Sequence, residues 1–323
     1  MAEYREIQGA AVQSLASSTG TIEGQIWYDN VNSLFKLQQF VTIGTFATVA
    51  SLSNTHVSSG ASGTSSSSAL VFGTAAGGPP SLLCESFDGT SWTATNNMTQ
   101  DGDYSNGFGT QTSAVAAGDG GPVGANSNTL FDGTCWSNAN PTSTYSYARA
   151  GLGTGTSLGA LYGGTPTGGS NARVEDWDGT CWTAGTAQGS GSSNQAAAGV
   201  VPNAALTFGG DSPVTGVTQL WNGSAWSTKN AMNTGRAAFG SGISTSALAA
   251  GGGPGTPAVV ETWDGTCWST NPASLNTARY AIPATMADAT NLSTLVSGGG
   301  PGNTNVEEWT GPNQVVTKTL TTS

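Results

Sequence analysis

The string aromatic–Asp/Asn–Gly–Thr/Ser–x–Trp occurs five times in this 323-residue chain, and its regularity constrains the fold more than any other feature. The copies are Phe87 to Trp92, Phe131 to Trp136, Trp177 to Trp182, Trp221 to Trp226 and Trp263 to Trp268. A sixth, degraded copy is Trp309-Thr310-Gly311-Pro312. The first aromatics are spaced 44, 46, 44, 42 and 46 residues apart, and nine of the ten tryptophans lie in these strings. A fixed period of this size signals a stack of like structural units. The aromatics therefore belong to the architecture.

Each string follows an apolar stretch that ends in glycine, such as Ala69 to Gly73 or Ala205 to Gly210, and a further short segment such as Gly235 to Gly240 lies upstream. Four short strand candidates per roughly 44 residues make one blade of a β-propeller, and six repeats predict six blades. Composition agrees. The 48 Gly, 38 Ser and 45 Thr argue against helices, because Gly costs about 1 kcal/mol per helical position. Ten Trp, nine Phe and seven Tyr are too many for a disordered chain. The fold class read from the sequence is thus all-β, a six-bladed propeller with a short N-terminal segment.

The Asp-Gly pair predicts a two-residue type I′ hairpin turn. In that register the second Trp faces the residue two places before the first aromatic, which is Glu85, Thr129, Glu175, Gln219 or Glu261. Residues 1–45 lie outside the repeat and are read as an attachment or oligomerisation element carrying Trp27, Tyr28 and Phe35; the alternative is a strand that closes the ring. Residues 46–323 are assigned to the propeller. Within them Ser58 to Ser68 reads as a loop and Gln314 to Leu320 as the last strand of the last repeat. The repeats begin and end in phase, which predicts a ring needing no strand from the far end.

Net charge is −11, and the eight Lys and Arg are scattered. Nucleic acid and anionic lipid would find no basic surface. No apolar run approaches 18 residues, so membrane insertion is not expected, and Met1 to Ala10 is charged where a secretory signal needs an apolar core. Cys135, Cys181 and Cys267 share the string Gly-Thr-Cys-Trp. Equivalent places in successive repeats are too far apart for disulfides, so these and Cys84 are expected as free, partly buried thiols.

Candidate chemistry is sparse. His56 is the single histidine, too few for histidine-ligated metal or for Ser-His or Cys-His catalysis. Asp88, Asp132, Asp178 and Asp264 occur one per repeat, which suits turns better than the paired carboxylates of glycoside hydrolysis. Asp101 to Gly107 is an imperfect calcium-loop string. Arg149, Arg236 and Arg279 are read as equivalent positions making hydrogen bonds between blades. No catalytic, metal or cofactor residue is assigned, and no enzyme activity is expected.

The glycine pair followed by Glu-x-Trp-Asp-Gly-x-x-Trp resembles the kelch-type propeller repeat and, more closely, the repeat proteins of marine bacteriophages that infect cyanobacteria and related bacteria. Three further strings are similar to that group: the leader Glu23 to Asn30, the link Leu275 to Arg279 and the closing Val306 to Trp309. The likeness covers nearly the whole chain, though the link is blurred in repeats two to four, as at Thr144 to Arg149. It implies a non-enzymatic virion structural protein: a tail appendage, fibre or head-exposed component, present in several copies or as a homo-oligomer. Such a protein would attach to other virion proteins through residues 1–45 and display its propeller, whose neutral polar surface suits host-surface glycans. The rival readings are a cytoplasmic kelch-type scaffold binding a protein partner and, less favoured, a glycan-cleaving propeller enzyme.

Overall fold

A computed structural model of the chain describes residues 13–15, 26–41, 44–74, 82–100, 102–118, 126–166, 172–201, 203–255, 257–280, 293–312 and 314–320. All its named elements are strands, and the chain divides into two compact units, one of Thr45–Thr310 and one of Met1–Gly44 with Gly311–Ser323.

The larger unit is the six-bladed propeller. Blade 1 is built from Gly60–Ser65, Ser68–Phe72, Cys84–Phe87 and Trp92–Ala94, each strand antiparallel to the next from the innermost outward. Blades 2 to 5 repeat this meander, with innermost strands Asn106–Gly109, Ala150–Gly155, Ala196–Val200 and Ala237–Ile243. Blade 6 pairs Ser293–Ser297 with Val306–Thr310, and its outer strand is Thr45–Val49. The ring is thus closed by a strand from before the first repeat, against the expectation from repeat phase. Trp309 lies opposite Phe46, with ring centroids 4.9 Å apart. Phe46 supplies the second aromatic that the degraded sixth string lacks.

The outer hairpins also differ from the predicted turn. Phe87 pairs directly with Trp92, as do Phe131 with Trp136, Trp177 with Trp182, Trp221 with Trp226 and Trp263 with Trp268. Four residues therefore connect the strands, and Glu85 lies opposite Ala94 instead of facing the Trp. The aspartate determines this turn. Asp88 Oδ1 accepts the backbone N–H groups of Thr90 and Ser91, each at 2.8 Å. Asp132, Asp178, Asn222 and Asp264 repeat the pattern. Gly89 then takes φ +93°, a conformation that a residue with Cβ adopts only under strain.

The core is distributed between blades, because a thin sheet buries apolar area only against its neighbour. Each cluster joins two successive blades: Phe72 meets Trp136, Phe108 meets Trp182, Tyr162 meets Trp226 and Phe208 meets Trp268. Wide rings are thus wedged between successive sheets. Trp92, Trp136, Trp177, Trp182, Trp263, Trp268 and Trp309 are buried, as are Phe87 and Phe131, while Trp221 and Trp226 are half-buried. Glycine makes room for the rings. A Cβ at Gly153 or Gly159 would stand 2.1 Å from the Phe108 ring.

Ser58 to Ser68 is mostly the innermost strand of blade 1 and not a loop: small residues are required where the innermost strands pack closely together. The second unit is a sheet of Gln13–Leu15, Ile26–Asp29, Leu34–Val41 and Gln314–Leu320, in that order. Gln314–Leu320 pairs with this sheet from Phe35 to Val41, and not with the last repeat. Trp27 is buried, Tyr28 half-buried, and Phe35 exposed with its ring 5.3 Å from that of Tyr28. The leader residues 23–25, Asp101 of the calcium-like string and residues 281–292 lie outside the described residues, as does most of residues 1–25.

Candidate functional site

Two constellations of polar residues recur around the ring, one buried and one open. The buried one begins with the acidic residue two places before the first aromatic. Glu261 of blade 5 accepts the backbone N–H groups of Asn233 and Thr234, at 2.7 and 3.3 Å, in the link that arrives from blade 4. It also binds Arg236, whose guanidinium donates further to the carbonyls of Thr234, Gly251 and Ala249. Blade 6 repeats this with Glu307, Asn276, Thr277 and Arg279. Blade 1 repeats it with Glu85, Ser53 and Asn54, but His56 stands where the others have arginine.

His56 is fully buried. Its Nδ1 lies 2.8 Å from the Gly73 carbonyl and its Nε2 3.3 Å from Glu85 Oε1, so acceptors face both ring nitrogens. Burial alone would raise the Glu85 pKa, but the bonds from His56, Ser53 and Asn54 outweigh it and hold the carboxyl down at about 2. Burial lowers the Arg149 and Arg279 pKa values, and the paired glutamates partly offset this.

Arg149 departs from the expected equivalence. The place matching Arg236 and Arg279 in blade 3 is Ser146, and Arg149 reaches Glu175 from three residues later. All three arginines bind the glutamate of their own blade, where bonds between blades were expected. Blade 4 has Gln219 and Ser192 at these two places, and the Gln219 side-chain oxygen accepts the N–H groups of Gly189 and Ser190. Blade 2 has Thr129 and Gly102. Where the acid is missing, the cation is missing too. This is what the cost of an unpaired buried charge requires, and in blades 1, 3, 4, 5 and 6 these residues form clasps that fix the link to its blade.

The open constellation is a cavity of about 410 Å³ at the end of the ring where the innermost strands begin. Every blade contributes. Ser58, Tyr104, Ala148 and Asn194 come from the links into blades 1 to 4, Phe239 from blade 5, and Tyr280 from the link into blade 6. The first four share one conformation, with φ between 51° and 54°, and each stands two residues after the clasp position. Non-glycine residues held there cost on the order of 1–3 kcal/mol each, and such strain clusters at sites of function. Blade 5 reaches the same register with one residue fewer, Phe239 pairing with Ala250, and lacks the left-handed residue.

Two tyrosines are fixed at this mouth, each 40% exposed. The Tyr104 ring lies 5.8 Å from that of Tyr147. Tyr280 rests on Gly300, where a Cβ would stand 2.6 Å from its ring, and exchanges backbone hydrogen bonds with it. Asp211, from the loop between the second and third strands of blade 4, accepts Asn194 Nδ2 at 3.1 Å on one carboxylate oxygen and 3.0 Å on the other. Its own N–H is held by the Ser193 carbonyl.

The turn aspartates lie at the opposite end of the sheets. Asp88, Asp132, Asp178 and Asp264 are exposed, and the two N–H bonds on each lower its pKa. Cys84 is buried, which pushes its thiol up to about 12, whereas Cys135 and Cys267 are exposed and Cys181 half-buried. All four are free. Among the described residues no three His, Cys, Asp or Glu side chains gather as a metal site. Sequence reasoning missed Phe46, His56 and the mouth residues. The lone aromatic of the β-branched segment Thr45–Val49 was an available signal for Phe46.

No protein-family description matches the chain, and no curated protein matches it in sequence. Among solved structures it is similar to one described as "Structure of YjhT", with a TM-score of 0.63 and 13% identity over 83% of this chain and 99% of that one. At that identity the likeness is one of fold. By it, and by its own radial sheets, the chain is a six-bladed β-propeller.

Proposed function

We propose that this chain is a non-enzymatic virion component whose propeller is displayed on the particle and binds a host-surface glycan. One observation carries the binding half of this reading. The ring ends in a cavity where uncharged polar side chains and two tyrosines alternate with small and apolar residues such as Ala196, Ala237 and Phe239, and four of the lining residues are held in strained backbone conformations. A concave site with a few convergent polar groups is the default place for a small ligand. The virion half rests on the leader, link and closing strings that resemble marine-phage repeat proteins.

The lining favours binding over hydrolysis. Among the described residues of the mouth, Asp211 is the one carboxylate, and glycoside hydrolysis needs two flanking the scissile bond. The full chain is to be screened on a glycan array covering bacterial surface polysaccharides, and purified particles are to be searched for it by mass spectrometry. Glycan binding without turnover, with the chain present in particles, supports the proposal. Failure to bind any glycan at high concentration removes the recognition role, and absence from particles removes the virion role.

A further inference from the structure

We infer that the mouth takes a single terminal, uncharged sugar ring, seated end-on with Tyr104 and Tyr280 against its carbon face and the Asn194–Asp211 pair on its hydroxyls; this rests on the glycan reading above. Size comes first. About 410 Å³ lies near the lower limit of small-ligand sites, which suits one sugar ring, or at most two, and not a polysaccharide strand lying across the site. All six blades contribute to the lining, so a polymer would reach the cavity by its end.

Chemistry narrows the class. A sugar presents a patch of C–H groups on one face and hydroxyls, each both donor and acceptor, around its edge. The tyrosines supply rigid, half-exposed rings at low entropic cost, since Tyr147 and Gly300 already fix them. Asp211 spends its carboxylate on one Asn194 nitrogen and keeps acceptor sites over, and the Asn194 amide keeps its carbonyl. A carboxylate beside an amide carbonyl accepts from two neighbouring hydroxyls.

Charge then sets the preference within sugars. Arg149 also lines the cavity, but its terminal nitrogens are committed to Glu175 and the Leu161 carbonyl. Asp211 is left as the charge that a ligand meets, so an acidic sugar is repelled and a neutral one is not. Asp211 and Asn194 belong to blade 4, the blade whose clasp is uncharged. No buried arginine there competes for the Asp211 carboxylate.

The test uses the full chain, saturation-transfer-difference NMR and calorimetry, with methyl glycosides of glucose, galactose, mannose and glucuronic acid as probes. At least one neutral glycoside is expected to bind, and the glucuronide at least tenfold more weakly. D211N and Y104A are each expected to weaken binding at least fivefold with an unchanged melting temperature; Y280A replaces Y104A if that variant melts early. Trimming the terminal sugar from an array-positive glycan with an exoglycosidase should abolish its binding. Array binding that survives D211N, Y104A and Y280A, or a preference for the glucuronide, overturns this inference and leaves the glycan reading standing. No binding to any array glycan or glycoside defeats both.

Discussion

Removing Arg236 from the blade 5 clasp tests the pairing rule directly, because the structure fixes what each variant strands. Arg236 is 1% exposed and binds Glu261 together with the Gly251, Thr234 and Ala249 carbonyls. In R236M the Glu261 carboxylate stays buried with its two link N–H bonds and no cation. Breaking a buried pair on one side costs about 3–5 kcal/mol. At roughly 2–4 °C per kcal/mol for a unit of this size, the melting temperature should fall by about 10 °C. E261Q alone strands the guanidinium and should cost a similar amount.

The double variant R236M/E261Q, however, recreates the uncharged clasp of blade 4. There the Gln219 oxygen accepts the link N–H groups at 2.8 and 3.2 Å with no cation present. It should therefore lose less than the two single variants combined, with a coupling of about 1.5–3 kcal/mol. Urea unfolding followed by tryptophan fluorescence, alongside calorimetric melting, measures all three. A single variant costing under about 1 kcal/mol, or a double equal to the sum within about 0.5 kcal/mol, would refute the claim that charge pairing governs these positions.

Acid should weaken the blade 1 clasp. The folded Glu85 pKa of about 2 lies below its ordinary 4.5, so its contribution is complete above pH 4.5 and is lost as pH falls toward 2; the fall in melting temperature over that window should be smaller in E85Q/H56Q than in the parent. Phe46→Ala removes a half-buried ring that packs on Trp309 at the closing strand, and should cost roughly 1–3 kcal/mol, below the range for a fully buried Phe, and make Thr45–Val49 the first site cut in limited proteolysis. Native protein should react with a maleimide at Cys135 and Cys267 but not at buried Cys84, whose thiol joins only on unfolding; peptide mapping of the labelled chain reads this directly, and early labelling of Cys84 would contradict its burial.

The repeat made the blade count and the inter-blade aromatics legible, because burying an indole needs only a second sheet and the period says where that sheet is. What it hid were pairings between residues far apart in the chain. Phe46 and Trp309 are 263 positions apart and carry no shared string, so phase arithmetic placed both ends of the ring in one repeat. The strand Gln314–Leu320 was misplaced for the same reason: its composition suits either sheet, and only pairing with Phe35–Val41 decides. At the outer hairpins, Asp-Gly turn statistics lost to a side-chain bond. Asp88 Oδ1 captures two N–H groups and widens the connection from two residues to four.

The candidate site was illegible for a different reason. Its residues, Ser58, Tyr104, Ala148 and Asn194, occupy one structural position but share no side-chain chemistry. A search for repeated types passes over them because they differ, and their difference is what a binding site on a near-symmetric ring requires. Six identical loops would present a sixfold lining that fits no asymmetric ligand. Clasps of carboxylate with arginine or histidine hold the links in blades 1, 3, 5 and 6, and the amide clasp holds that of blade 4. Two of the residues at that position are exposed, Asn194 beside the amide clasp of blade 4 and Tyr104 in blade 2, and these are free to vary without loosening their blades. On this view, exchanging Tyr104 and Asn194 between blades 2 and 4 should leave the melting temperature within about 3 °C, since surface changes are usually worth under about 0.5 kcal/mol, while changing which glycoside binds. Unfolding by the exchange would show that the mouth residues are themselves structural, and would remove the separation of scaffold from site.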